Sequence, residues 1–312
     1  MIGFFDPASI ARPHAVTLPG EVAGGHANSR APPVILEPAR LSMTSPRPRT
    51  SVAAMSSPLF DLSDQVAVVT GSSRGIGRSI AEQMARAGAR VVISSRKPDA
   101  CEAVAEAIRK DGGQAIAIPA NISRQSDLEA LVERTLDAWG QIDALVCNAA
   151  SNPYFGPMSG VSDEIFDKIM RNNVLSNLWL ANRVAPQMAE RGGGSITVVS
   201  SIGGLRGDPF LGVYNMSKAA DMQLVRNLAI EWGGRGIRAN TIAPGLVRTD
   251  FARALWENPH LLDKVERATP LRRIGEPDDI GGIAVFLASR AAAFITGQVI
   301  VADGGVTIGA AW

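Results

Sequence analysis

A phenol and an amine stand four residues apart in this chain, as Tyr214 and Lys218 of the segment Tyr-Asn-Met-Ser-Lys. On a helix, positions i and i+4 share a face, so the two side chains are neighbours there. A phenol beside an ammonium gives up its proton more readily, which suits it to acid–base work near neutral pH. Ser201 lies upstream, at the end of the run Ser-Ile-Thr-Val-Val. A hydroxyl at the end of a strand can hydrogen-bond a substrate carbonyl. A Tyr-x-x-x-Lys pair alone arises by chance in many helices, so it gains weight only from a second feature.

That feature is the loop Thr70-Gly71-Ser72-Ser73-Arg74-Gly75-Ile76-Gly77, which follows an apolar strand and opens a helix. Glycines allow a tight turn and close approach of a pyrophosphate, and a helix N-terminus offers N–H groups and a positive dipole end. Gly71, Ser73, Arg74, Gly75, Ile76 and Gly77 are therefore candidate contacts for a dinucleotide. The spacing G-x3-G-x-G departs from the G-x-G-x-x-G fingerprint. After the second strand the chain reads Ser94-Ser95-Arg96-Lys97. An acid there would hold the ribose 2′-hydroxyl of NAD. Arg96, joined by Arg74, instead suits a 2′-phosphate, so Ser95, Arg96 and Lys97 point to NADP or NADPH.

The elements that must position these residues are legible as apolar runs. Strands are expected at 65–70, 89–94, 114–118, 143–147, 195–199, 237–242 and 298–302. Helical patterns fall near 75–88, 98–112, 125–139, 163–190, 213–233 and 277–288. Strands alternating with helices imply an α/β fold, a single doubly wound Rossmann domain with a seven-stranded parallel sheet covered on both faces. This domain is expected over 59–312, with a lid about 246–270. Ligands of such sheets bind beyond the strand C-termini, where Ser201 is placed.

Composition narrows the function classes. The 312 residues are 46% hydrophobic and 20% charged, which is ordinary for a globular chain able to build a core. A net charge of +1 gives no electrostatic footprint for nucleic acid or an acidic membrane. No run of about 18 apolar residues predicts a membrane span. The two cysteines, Cys101 and Cys147, make neither a disulfide framework nor a four-thiolate site, and three histidines argue against a metal centre. Cys147 reads as a small buried apolar residue.

Residues 1–58 differ from the rest. They hold nine of the nineteen prolines, no lysine and no apolar period. Such a segment cannot offset its chain entropy and is expected to be disordered. A secretory signal is not expected; an organelle transit peptide or a functional tail stays open as an alternative, although prolines interrupt any transit-type amphipathic helix. Globular patterning starts at Met55, so the upstream text also reads as a leader from a start codon assigned too early.

From about Leu62 to Gly305 the chain resembles the short-chain dehydrogenase/reductase family. The resemblance rests on Thr70–Gly77, Cys147-Asn148-Ala149-Ala150, Asn173, Ser201, Tyr214-x-x-x-Lys218, Asn240-x-x-Ala243-Pro244-Gly245, Ile295–Gln298 and Asp303-Gly304-Gly305. Within the family it is most similar to NADPH-dependent carbonyl reductases of the dehydrogenase/reductase member four type, through Ser94–Lys97, Asn152–Gly156 and Thr249–Trp256. Cys147 and Ala150 depart from the usual Asn-Asn-Ala-Gly, and Asn121 stands where an acid often follows the third strand. The resemblance implies Tyr214 as proton donor, Lys218 on the nicotinamide ribose, Ser201 at the developing oxyanion and Asn173 holding a water that relays protons to Lys218. It also implies cofactor contacts from Asn121, Ile122, Asn148, Ala149, Pro244, Gly245, Val247 and Thr249.

Substrate is expected at the loops 151–160 and 202–212 and at the lid, with Tyr154, Phe155, Leu205, Phe251 and Trp256 as contacts. These apolar groups suit a ketone, aldehyde or quinone with a hydrophobic part. Tyr154 reads equally as a pocket wall or as loop packing. The expected activity is NADPH-dependent reduction of a carbonyl. A secondary-alcohol dehydrogenase or 3-oxoacyl thioester reductase is the alternative, and a non-catalytic cofactor sensor is the reading from another class. The partners expected are a small-molecule carbonyl or alcohol, with neither nucleic acid nor membrane, in a cytoplasmic homotetramer. The chain end Gly309-Ala310-Ala311-Trp312 is not a peroxisomal address.

Overall fold

Five consecutive buried residues, Val66–Thr70, form β1, the hydrophobic run that a strand covered on both faces requires. The computed structural model describes residues 58–309; the expectation of disorder lies outside them except at Pro58. Six further strands follow: β2 (Arg90–Ser94), β3 (Gln114–Ala117), β4 (Ala144–Cys147), β5 (Gly194–Val199), β6 (Ile237–Pro244) and β7 (Val299–Ala302). Among the described residues they make one parallel sheet in the order β3-β2-β1-β4-β5-β6-β7. The order reverses between β1 and β4, which opens a crevice beyond their C-terminal ends.

Helices cover both faces. On one side α1 (Gly75–Arg86), α2 (Pro98–Lys110) and α9 (Pro277–Ala288) pack Ile80, Met84, Val104 and Ile280 against Ala67, Val69, Val91 and Ile93. On the other, α3 (Gln125–Trp139), α5 (Ser176–Glu190) and α6 (Gly212–Trp232) pack Leu131, Val184, Met188 and Leu228 against Val68, Val92, Leu145 and Ile196. Alternate residues of each strand serve the two cores. Helix boundaries follow local chemistry. Pro98 and Pro277 open α2 and α9, where the missing N–H costs nothing. Gly140 ends α3 in the left-handed region at φ +74°.

The stretch expected as one helix over 163–190 is not continuous. α4 (Asp163–Met170) gives way to a π-helical turn, Arg171–Leu175, before α5 begins. The turn carries one extra residue and places Asn172 and Asn173 in the interior. The segment expected as a lid, 246–270, holds a 3-10 turn (Asp250–Ala252), α7 (Arg253–Trp256) and α8 (Pro259–Ala268). None of their residues is buried, although Leu261, Leu262 and Val265 give α8 an apolar stripe. Among the described residues no helix is long and apolar enough to cross a membrane.

Candidate active site

The glycine loop is stapled at both ends. Ser72 N donates to Ser94 O (3.1 Å), and Ser94 N donates to Ser72 Oγ (2.9 Å), tying the loop to the end of β2. From the β4 side, Asn148 Nδ2 donates to Thr70 O (3.0 Å) and Gly71 O (3.2 Å). Thr70 Oγ1 in turn accepts from Asn148 N and Ala149 N. Gly71 sits at φ +67°, and a Cβ there would lie 2.8 Å from Asn148 Nδ2. At Gly77 a Cβ would overlap both Asn148 Nδ2 and Gly71 O. The loop therefore leads backbone, not side chains, into the N-terminus of α1. No side chain caps that terminus and no acid occupies its first turn, so its N–H groups suit an anion.

Arg96 and Lys97 lie exposed beyond β2. Ser95 Oγ lies 3.1 Å from Cys101 Sγ. Arg74 is not free beside them, since its guanidinium meets Asp250 of the lid at 3.3 Å. Asn121 turns its side-chain oxygen to Ser123 N and Oγ, which leaves its amide N–H groups for a base. Ile122 packs on the sheet core. Gly245 N donates to Ala302 O, Val247 is buried beside Gly275, and Thr249 Cγ2 would lie 3.2 Å from a Cβ at Gly75. Pro244 through Thr249 thus close the loop side of the crevice.

The expected acid–base residues lie about the end of β5 and on α6. Ser201 caps a 3-10 turn, Ile202–Gly204, and its Oγ accepts from Gly203 N (3.0 Å), which leaves its own proton to donate. Tyr214 and Lys218 lie one turn apart on α6, with the Lys218 ammonium 5.7 Å from the Tyr214 ring centre. Lys218 is buried and donates to Val199 O (3.0 Å) and to Asp221 Oδ2 (3.1 Å). Burial pushes the Lys218 ammonium toward losing its proton, but the Asp221 carboxylate and its hydrogen bond, together with Tyr214 and Cys147, outweigh this and hold it above the ordinary lysine range.

Asn173 lies in the π turn with its side chain fully engaged. Its Oδ1 accepts from Ser151 N (2.8 Å), and its Nδ2 donates to Ser151 O and Ser217 Oγ, both at 3.0 Å. The expected water would have to meet its main chain. That carbonyl already accepts from Asn177 Nδ2 (2.6 Å), which also donates to Asp221 Oδ1 (3.0 Å). Sequence reasoning missed Asp221 and Asn177. The available signal was an acid three residues after Lys218 on the same helix.

The mouth is apolar. Phe155 stacks on Phe210 at 5.4 Å, Phe251 lies 6.2 Å from the Tyr214 ring, and Leu205 is exposed nearby in sequence to Ser201. Trp256 Nε1 donates to Thr249 O (2.8 Å), fixing α7 to the segment after β6. Tyr154 donates to Pro157 O (2.9 Å) and packs on Gly156 and Gly160, which gives it the loop-packing role. Cys147 is buried, and burial pushes its thiol far above the usual range, as an inert core residue requires. Among the described residues no group of His, Cys, Asp or Glu could hold a metal.

A doubly wound sheet with a glycine loop after β1 and a Ser, Tyr and Lys set beyond β5 defines a short-chain dehydrogenase/reductase. The family described as enoyl-(acyl carrier protein) reductase matches residues 71–307, and this chain belongs to the short-chain dehydrogenase/reductase family. It is 41% identical over 244 residues to bovine (Bos taurus) dehydrogenase/reductase SDR family member 4, covering 78% of this chain and 88% of that protein. The human protein of that name is 40% identical over the same length and shares. Among solved structures, gluconate 5-dehydrogenase from Burkholderia cenocepacia, in complex with NADP and tartrate, matches with a TM-score of 0.78 at 32% identity, over 81% of this chain and 99% of that one. A 7α-hydroxysteroid dehydrogenase complexed with NADH and 7-oxo glycochenodeoxycholic acid matches at 0.77 and 36%, over 80% and 96%.

Proposed function

We propose that the protein reduces the carbonyl of a ketone, aldehyde or quinone to the alcohol with NADPH, Tyr214 giving the proton. The observation that carries this is the buried Lys218 ammonium 5.7 Å from the Tyr214 ring centre, bonded to Val199 O two residues before Ser201. A dinucleotide fits the residues present, because Gly71 and Gly77 keep backbone rather than side chains at the loop where α1 opens uncapped. Gly71, Ser73, Gly75, Ile76 and Gly77 hold the pyrophosphate. Ser95, Arg96, Lys97 and Arg74 hold the 2′-phosphate, and Asn121 and Ile122 the adenine. Asn148, Ala149, Pro244, Gly245, Val247 and Thr249 flank the nicotinamide end. The bound cofactor supplies the hydride.

Tyr214 hands its hydroxyl proton to the carbonyl oxygen, and Ser201 donates a hydrogen bond to the same atom as charge builds. Lys218 steadies the ribose and the phenolate left on Tyr214. Asn173 braces the π turn against Ser151 and Ser217. Phe155, Leu205, Phe251 and Trp256 favour a substrate with a hydrophobic part. The experiment is NADPH consumption beside NADH consumption over one panel of ketones, aldehydes, diketones, quinones and acetoacetyl thioesters. Strong NADPH-linked turnover is expected. Absence of turnover with every member and both cofactors favours the cofactor sensor.

The solved relatives include dehydrogenases of hydroxylated substrates, so oxidation of a secondary alcohol is the second reading. The same panel run as alcohols with NADP+ separates the two. The reading extends to a cytoplasmic homotetramer. Exposed Met216 and Ile230 on α6 and Phe166 on α4 supply apolar surface for pairing. Light scattering at micromolar concentration and cell fractionation test these two points.

A further inference from the structure

Deepest in the site lies an acid that the reaction set out above does not use. Asp221 is 0% exposed and its ammonium partner Lys218 only 2%. The pair belongs to a chain of direct contacts. Lys218 Nζ donates to Asp221 Oδ2, Asn177 Nδ2 donates to Asp221 Oδ1, and the same amide nitrogen donates to the main-chain carbonyl of Asn173. Three elements are joined in this way: α6, α5 and the π turn. An ammonium has three N–H donors. Val199 O and Asp221 take two of those on Lys218, which leaves one for the reacting groups beside Tyr214.

We propose that Asp221 is a positioning residue of the reaction: its carboxylate, tied through Asn177 to the π turn, holds the Lys218 ammonium in place and in its charged form. The inference rests on the reading of Tyr214 and Lys218 as the acid–base pair. Burying an ammonium with no counter-charge favours its neutral form, and a neutral amine gives no support to a phenolate. A fixed negative charge beside Lys218 also makes loss of its proton harder. Among the described residues the other titratable groups facing the pair are Tyr214 and, at the end of β4, Cys147, whose thiol burial keeps protonated. Val199 at the end of β5, Ser200 just after it, Asn177 from α5 and Asn173 from the π turn bring dipoles but no charge.

The test compares wild type, Asp221→Asn, Asn177→Ala and Tyr214→Phe in the pH profile of kcat/KM for carbonyl reduction. Potentiometric titration of the same proteins without cofactor runs alongside. Asparagine keeps the shape and one acceptor of aspartate but removes its charge. The alkaline limb of Asp221→Asn is expected to move down by about one pH unit or more. The titration is expected to show about one extra proton released per chain between roughly pH 7 and 10. Asn177→Ala moves the limb the same way by less, and it carries the test if Asp221→Asn does not fold. A profile lowered uniformly, with its alkaline limb in place, assigns Asp221 to packing alone and overturns the proposal. Full turnover by Tyr214→Phe overturns the reading of the site instead, and the titration then decides the role of Asp221 by itself. Superimposable titration curves overturn it.

Discussion

The guanidinium of Arg74, in the glycine loop, meets the carboxylate of Asp250, in the lid, at 3.3 Å. Asp250 is also held by Arg253, and these arginines, Arg253 first, keep its carboxyl below the ordinary range. In the proposed NADPH complex a 2′-phosphate would compete with Asp250 for Arg74. Exposed pairs of this kind are weak, so the competition is modest. Asp250→Asn should tighten NADPH binding by about two- to five-fold and leave NADH binding unchanged. Fluorescence titration with both nucleotides measures this; equal gains for the two would remove Arg74 from the phosphate site.

Arg96 is the stronger determinant in the proposed cofactor site, being exposed at the end of β2 without an ion-pair partner among the described residues. Arg96→Asp replaces a charged hydrogen bond to the phosphate with repulsion. The KM for NADPH should rise about ten- to hundred-fold while that for NADH changes little. Steady-state kinetics at saturating substrate decide it.

Tyr214→Phe removes one oxygen from a ring that keeps its packing beside Phe251. Turnover should fall at least about 100-fold, the scale of a lost general acid. NADPH affinity should stay within about two-fold, because the phenol hydroxyl acts on the substrate.

Gly77→Ala tests the backbone cradle. The added Cβ would overlap Asn148 Nδ2 and the carbonyl of Gly71, and a carbonyl in a stapled loop cannot swing aside. The strain should cost about 1–3 kcal/mol of stability and weaken dinucleotide binding. Thermal unfolding with and without NADPH reads both effects.

Both cysteines are buried, and burial holds the Cys147 thiol in its unreactive protonated form. Native protein should therefore not react with a thiol reagent at neutral pH, whereas the unfolded chain should titrate 2 thiols. Rapid labelling of Cys147 in native protein would reopen a nucleophilic role.

The strands were legible because a parallel sheet buried on both faces demands continuous apolar runs, as in Val66–Thr70 and Ile196–Val199. Helix starts at Pro98 and Pro277 were equally plain. The π turn at Asn173 was not, since one extra residue in a helical hydrogen-bond ladder leaves no mark on side-chain pattern. Asp221 escaped for a related reason. The buried face of α6 carries Asn215, Ser217, Lys218 and Asp221, so polarity there does not separate inside from outside. The engagement of Arg74 by Asp250 spans 176 positions of sequence and needs the folded lid to exist.

Asn148 gives the glycine loop its finish, yet it follows Gly71 by 77 positions. During synthesis the first β-α-β segment leaves the ribosome well before the residue that clamps its loop. Up to that moment β1 lacks one of its two neighbours as well, since β4 arrives with Asn148. A nascent chain stopped short of β4 therefore has glycines but no rigid cradle, and translation must pass that point before the dinucleotide can act as a folding template.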